Sequence, residues 1–323
     1  MIVDAFAHIL PREFAKDLMD VWPSPELAAV ARLDYFWDIE RRLTVLNELG
    51  IDVQVVTLAR PDIWLRCPPK LAKEYASKAN DAIANLVSRS DGRLVGVGTI
   101  PVMYEGAVDE VKRCVEDLGL RGVQIYTHSN GMPIDSPSYV EIFGYANSKG
   151  IPIWLHPQTW PHHAWSNQYA LDRVFGWLFE TTLAMCRLVF SGIMDRFPNL
   201  KIITHHLGAM IPIADVRLEG FYNTMTMYPY AEFNPLSDKP SRILRRFYAD
   251  TVVLSSSVHA FLCGLEFFGA DHVLFATDYP FGPEEGTWWA RHVITTIKNA
   301  PIDDQTRVKI FGKNAIDLLR LNY

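Results

Sequence analysis

Three histidines and one aspartate stand where short apolar runs give out. His8 follows IVDAF, His156 closes IPIWLH, His206 closes KIITHH and Asp278 closes HVLFATD. Neutral imidazoles with a carboxylate are the donor set that a borderline divalent cation takes, with positions left open for water or a small ligand. Taken singly, each residue has a structural alternative: a strand-end histidine can be satisfied locally, and Asp278 ahead of Tyr279-Pro280-Phe281 can cap a turn. Together they define a site only if the chain gathers the four ends.

The runs that carry them belong to a longer series. Eight β-branched segments recur at 2–6, 52–58, 94–100, 122–127, 151–156, 201–206, 247–252 and 272–278. Several are apolar throughout, as strands buried on both faces require. Stretches with helical spacing lie between them, such as 38–50, 69–92 and 105–119, each closing on a glycine. Alternating strands and helices with right-handed crossovers close most naturally into a (β/α)8 TIM barrel, an α/β fold whose strand C-termini converge on one axial pocket. The competing doubly wound sheet lacks any glycine-rich phosphate loop after a strand. No linker or low-complexity segment divides residues 1–323, so one domain is expected.

The long insertions, 7–37, 157–178 and 207–240, follow strands one, five and six, on the face expected to carry chemistry. Aromatic residues crowd the strand-following segments: Phe36, Trp37, Trp64, Trp160, Trp165, Trp177, Phe281, Trp288 and Trp289. A pocket walled by aromatics, with Trp160, Phe281 and Phe6 among its candidate linings, suits a planar ligand. The formal charge of -6 and the scattered Lys and Arg exclude the basic stripe that nucleic acid requires. Neither an 18-residue apolar run nor an N-terminal signal pattern is present, so a soluble cytoplasmic protein without a membrane partner is expected. The four cysteines are far apart and form no CxxC pair, which argues for reduced thiols.

The order of these pieces resembles a known family. DAFAHILP, WDIERRLTVLNELGIDVQVVT, LVGVGTIPV, GVQIYTH, HPQTW, ETT at 180–182, MDRFPNLKIITHHLGAMIP and TDYPFG run from Asp4 to Gly282 as in the amidohydrolase-2 group. The likeness is greatest to its decarboxylase branch, typified by aminocarboxymuconate-semialdehyde, γ-resorcylate and 5-carboxyvanillate decarboxylases. The resemblance implies one divalent metal ion, zinc first and manganese as alternative, held by His8, His156 and Asp278. It implies that His206 manages a water or the substrate proton, with Asp278 sharing in catalysis. Arg42 matches an arginine that grips a substrate carboxylate. Arg217 matches a second one that, in the muconate branch, enters from a neighbouring subunit, so a homodimer or dimer-based homo-oligomer is expected. His128 also matches the pattern at the pocket edge.

One position departs from the family. Its first strand usually ends HxH or ExH, and here Phe6 fills the first of those places, leaving three protein ligands. His205 is expected to point out of the barrel, on the opposite side of its strand from His206. The leading reading is non-oxidative decarboxylation of an aromatic or unsaturated carboxylic acid, a small-molecule substrate. Metal-dependent hydrolysis of a lactone or amide is the second reading. A non-catalytic binding barrel, its metal site impaired by Phe6, is the third.

Overall fold

In the computed structural model, residues 1–59, 68–158, 165, 167–228, 234–252 and 257–322 are described. All eight expected strands form. They are β1 (Val3–Ile9), β2 (Val53–Leu58), β3 (Leu94–Gly96 continuing as Gly98–Thr99), β4 (Val123–Tyr126), β5 (Pro152–His156), β6 (Lys201–Thr204), β7 (Tyr248–Asp250) and β8 (Val273–Leu274). Every pairing between them is parallel.

The ring closes at two places. Within β3, Val97 donates to the Val56 carbonyl while Gly98 donates to that of Gly122, so the strand changes partner at that point. Between β8 and β1, Ala5 donates to Phe275 O at 2.8 Å, Asp278 to Phe6 O at 3.1 Å and His8 to Tyr279 O at 2.6 Å. With its edges paired, the sheet is the (β/α)8 barrel that the alternation predicts.

Helix signals fall where the sequence places them. Asp38 accepts from Arg41 N at 3.1 Å to start the Ile39–Leu49 helix, and Gly50, at φ +69°, ends it. Inside the barrel Val3, Ala5, Phe6, Val53, Val55, Val95, Val97, Trp154, Ile203, Leu274 and Ala276 form one buried cluster. A larger layer packs between strands and helices. Trp154 fills the axis and donates its indole N–H to Ala5 O at 3.0 Å.

Such packing leaves Gly122 no alternative. A Cβ there would stand 2.3 Å from the Pro152 carbonyl oxygen on the neighbouring strand, and backbone cannot swing aside as a side chain can. Gly122→Ala is therefore expected to destabilise the fold by about 1–3 kcal/mol. Urea unfolding would show it as a lower midpoint at unchanged slope, and an unmoved midpoint would mean β4 and β5 can part freely.

Candidate active site

β1 delivers His8 to the barrel mouth. Its ring is buried, with Nδ1 at 3.0 Å from the Thr57 hydroxyl, which itself lies 3.3 Å from the Ala7 carbonyl. A hydroxyl has one hydrogen. In the tautomer that satisfies both Thr57 contacts, His8 carries its proton on Nδ1 and turns the Nε2 lone pair outward. That lone pair faces Asp278 Oδ1 at 3.3 Å. Two acceptors at this separation repel unless a proton or a cation stands between them.

β5 delivers His156. Its Nδ1 donates to Pro157 O at 2.7 Å, which fixes the tautomer and leaves Nε2 unprotonated. Burial first, then the neighbouring His8 and His205, hold this imidazole well below the ordinary histidine range. Its ring centre lies 5.5 Å from that of His8 and 6.1 Å from that of Tyr126. A neutral imidazole is the form that ligates metal.

The two histidines after β6 divide differently from expectation. Ile203 lies inside the barrel and Thr204 outside it, with Thr204 Oγ1 against Met185, so strand alternation turns His205 inward. His205 is buried, its ring 4.0 Å from Phe6 and 5.6 Å from His156. The expected outward orientation of His205 is corrected. His206 has already left the strand, at φ +56°, with its backbone N–H 3.2 Å from Asp250 Oδ1. Asp250 also binds His205 Nδ1 and was not anticipated; only its place in the seventh run, FYADTV, could have pointed to it.

Burial, reinforced by His205 and opposed by Asp250 and Asp278, lowers His206 to about 4. A histidine depressed in this way stays neutral in the folded state while the unfolded chain begins to protonate near 6.5. Its contribution to stability is complete above that pH and is lost as pH falls toward 4. If His206 must be neutral to act, kcat is expected to hold down to the onset of acid unfolding and to show no inflection near 6.5. A clear titration at 6.5 in a folded enzyme would count against this.

Phe6 stands among the imidazoles, its ring 4.7 Å from His8, 4.0 Å from His205 and 6.0 Å from His156. Phe281 covers His8 at 5.1 Å and meets Phe36 at the same distance, forming an aromatic wall. Trp160, Trp64, His162 and His163 lie outside the described residues. Trp37 is instead capped by the Arg12 guanidinium, Trp288 packs on Trp289 and His292, and Trp165 is largely exposed. His128 closes one side of the mouth, 3.1 Å from Gln158 O and 4.0 Å from the buried Glu180. Among the described residues, no three His, Cys, Asp or Glu side chains converge tightly enough to hold a metal ion as they stand. His8 and Asp278 touch, and His156 stands one ring away.

Arg42 is buried outside the strands, where one terminal nitrogen donates to Gln54 Oε1 at 2.6 Å and the other to the carbonyls of His8, 2.6 Å, and Tyr35, 3.2 Å. Its plane lies over the Tyr279 ring at 4.8 Å, and burial lowers it to about 10, still charged at neutral pH. The expected grip on a substrate carboxylate is therefore corrected: the fork braces the end of β1. Gln54 passes the network to Asp4 at 2.7 Å, and Asp4 accepts from Thr277 Oγ1 at 2.5 Å. Arg217 lies on the exposed side of the Ile211–Thr224 helix over Phe221 and, among the described residues, makes no contact with the site.

Comparison with known proteins agrees with this architecture. Residues 37–321 match the amidohydrolase family. The chain is 31% identical to 2-amino-3-carboxymuconate-6-semialdehyde decarboxylase of Dictyostelium discoideum over 88% of its length and 77% of that protein. It superposes on a dihydroxybenzoic acid decarboxylase from Polaromonas, solved with manganese and 2-nitroresorcinol, with a TM-score of 0.84 at 25% identity over 100% and 97% of the two chains. A 5-carboxyvanillate decarboxylase from Novosphingobium aromaticivorans, complexed with manganese and a nitrobenzoic acid, shares the fold at TM-score 0.87 and 24% identity over 99% and 96%. Barrel architecture and sequence likeness thus agree across nearly the whole length, and the chain belongs to the amidohydrolase family, alongside its decarboxylases.

Proposed function

We infer that this protein is a non-oxidative decarboxylase of an aromatic or unsaturated carboxylic acid, dependent on one divalent cation. The observation that carries the reading is the pair His8 Nε2 and Asp278 Oδ1, 3.3 Å apart, in a mouth walled by Phe6 and Phe281. The donor set fits a cation: two imidazoles whose Nδ1 protons are already committed, and a carboxylate facing one of the lone pairs. His8, His156 and Asp278 would hold it. Manganese in two structural neighbours makes that metal the first choice for this chain, with zinc second. Once bound, the cation supplies positive charge that polarises a substrate oxygen beside the reacting carbon.

The residues do the rest. Phe281 would give a planar acid an apolar face, backed by the buried Phe36 and with the buried Phe6 beside His8, and so exclude water. In the reaction a proton is added to the carbon that carries the carboxylate, the C–C bond breaks, its electron pair returns to the π system, and CO2 leaves. Asp278 is anchored through its backbone amide to Phe6 O, and its side chain, 17% exposed, is placed to pass that proton. His206, neutral at working pH, would take that proton from water and hand it to Asp278, so that one proton enters for each CO2 that leaves.

Arg217 has a place in this scheme if the protein is a cytoplasmic homodimer. Its helix face exposes Ile213 by 77% and Val216 by 79%, surface that a second copy would cover while receiving the guanidinium at its own mouth. No described helix is long and apolar enough to cross a membrane. The decisive experiment incubates manganese-loaded protein with a panel of hydroxybenzoates and unsaturated di-acids and follows CO2. Release that stops on chelation supports the reading; ring opening of lactones without CO2 overturns it.

A further inference from the structure

His205 is a buried polar group for which the scheme above has no use. It is 1% exposed, and its Nδ1 is bound to Asp250, itself fully buried and also approached by the backbone N–H groups of His206 and Val252. A carboxylate that receives those two donors is an acceptor only, so the ring proton sits on Nδ1. Nε2, on the opposite edge, is then an unprotonated lone pair. It is buried and, among the described residues, has no hydrogen-bond partner.

Buried polar atoms are nearly always satisfied, so one aimed into a barrel interior beside other donors calls for an explanation. The ring lies 5.6 Å from His156 and 4.0 Å from Phe6. An imidazole with Nδ1 held by a carboxylate and Nε2 bare is the arrangement that fixes histidine ligands on metals. Phe6 matters here because it is an apolar neighbour of this ring and offers it no hydrogen bond.

We propose that His205, oriented by Asp250, is a further ligand of the divalent cation held by His8, His156 and Asp278, so that β6 supplies the inward donor that Phe6 on β1 cannot. The proposal rests on the cation reading of the preceding section. It gives the centre three imidazoles, from β1, β5 and β6, and one carboxylate.

The test uses full-length protein and manganese alone. Pulsed electron paramagnetic resonance of manganese-loaded wild type is expected to count three directly bound imidazoles, and His205→Ala two. Titration of free manganese is expected to show about 10–100-fold weaker binding in both His205→Ala and Asp250→Asn, the second keeping the ring but not its orientation. Should His205→Ala fail to fold, the wild-type count and Asp250→Asn still decide. Two imidazoles in the wild type, or unchanged affinity in a folded variant, overturns the assignment and leaves the cation reading standing. A wild type that binds neither manganese nor zinc overturns both.

Discussion

Asp278→Asn is expected to lower kcat about 10³-fold or more while leaving the barrel folded. The substitution keeps the shape of the side chain and removes its charge. The backbone amide of residue 278 still donates to Phe6 O, so the turn after β8 has no reason to move. What is lost is the anion opposite His8 Nε2, and with it the attraction that holds a cation or a proton at that point. Binding of a planar acid to the Phe6 and Phe281 wall depends on area rather than on this charge, so KM should change far less than kcat. Steady-state rates with circular dichroism as the folding control would check it. A variant turning over at the wild-type rate would remove Asp278 from the chemistry.

Arg42→Ala should act on stability rather than on substrate affinity. Three acceptors, Gln54 Oε1 and the carbonyls of His8 and Tyr35, lose their donor in one step, in a place water does not reach. Breaking a buried charged hydrogen-bond network costs about 3–5 kcal/mol. Arg42→Lys should recover little of this, because an ammonium cannot reach the side chain and both carbonyls with a planar fork. The measurement is urea unfolding for stability, with KM taken on the folded fraction at low temperature. A stable Arg42→Ala protein whose KM rises a hundredfold would restore the arginine to the substrate.

The barrel was legible because its signals are local and repeated. Eight apolar runs, the Asp38 and Gly50 caps and the missing phosphate loop each follow from residue type and spacing. The four strand-end residues were legible for a related reason: a strand's end is where its apolar pattern fails. The orientation of the two histidines after β6 was not. Whether His205 or His206 faces inward depends on the residue at which β6 stops, and KIITHH reads alike either way. Arg42 was misread because the resemblance gives a position on a helix but not what lies beneath that helix; Gln54, Asp4 and Thr277 meet there only in three dimensions. Asp4, pushed to about 7 by burial despite its hydrogen bonds, left no sign of this in the sequence.

The first strand carries an irregularity whose effect reaches furthest. Opposite β2, Asp4 pairs with Gln54 and Ala7 with Val56, so three steps on one strand answer two on the other. Strict alternation would point residues 4, 6 and 8 the same way; the extra step lets Asp4 serve the outer brace while Phe6 and His8 serve the cavity. Odd and even positions therefore exchange sides partway along a seven-residue segment. Deleting one residue there would shift its phase: either the brace or the imidazole would face the wrong compartment, and no downstream substitution could repair both at once.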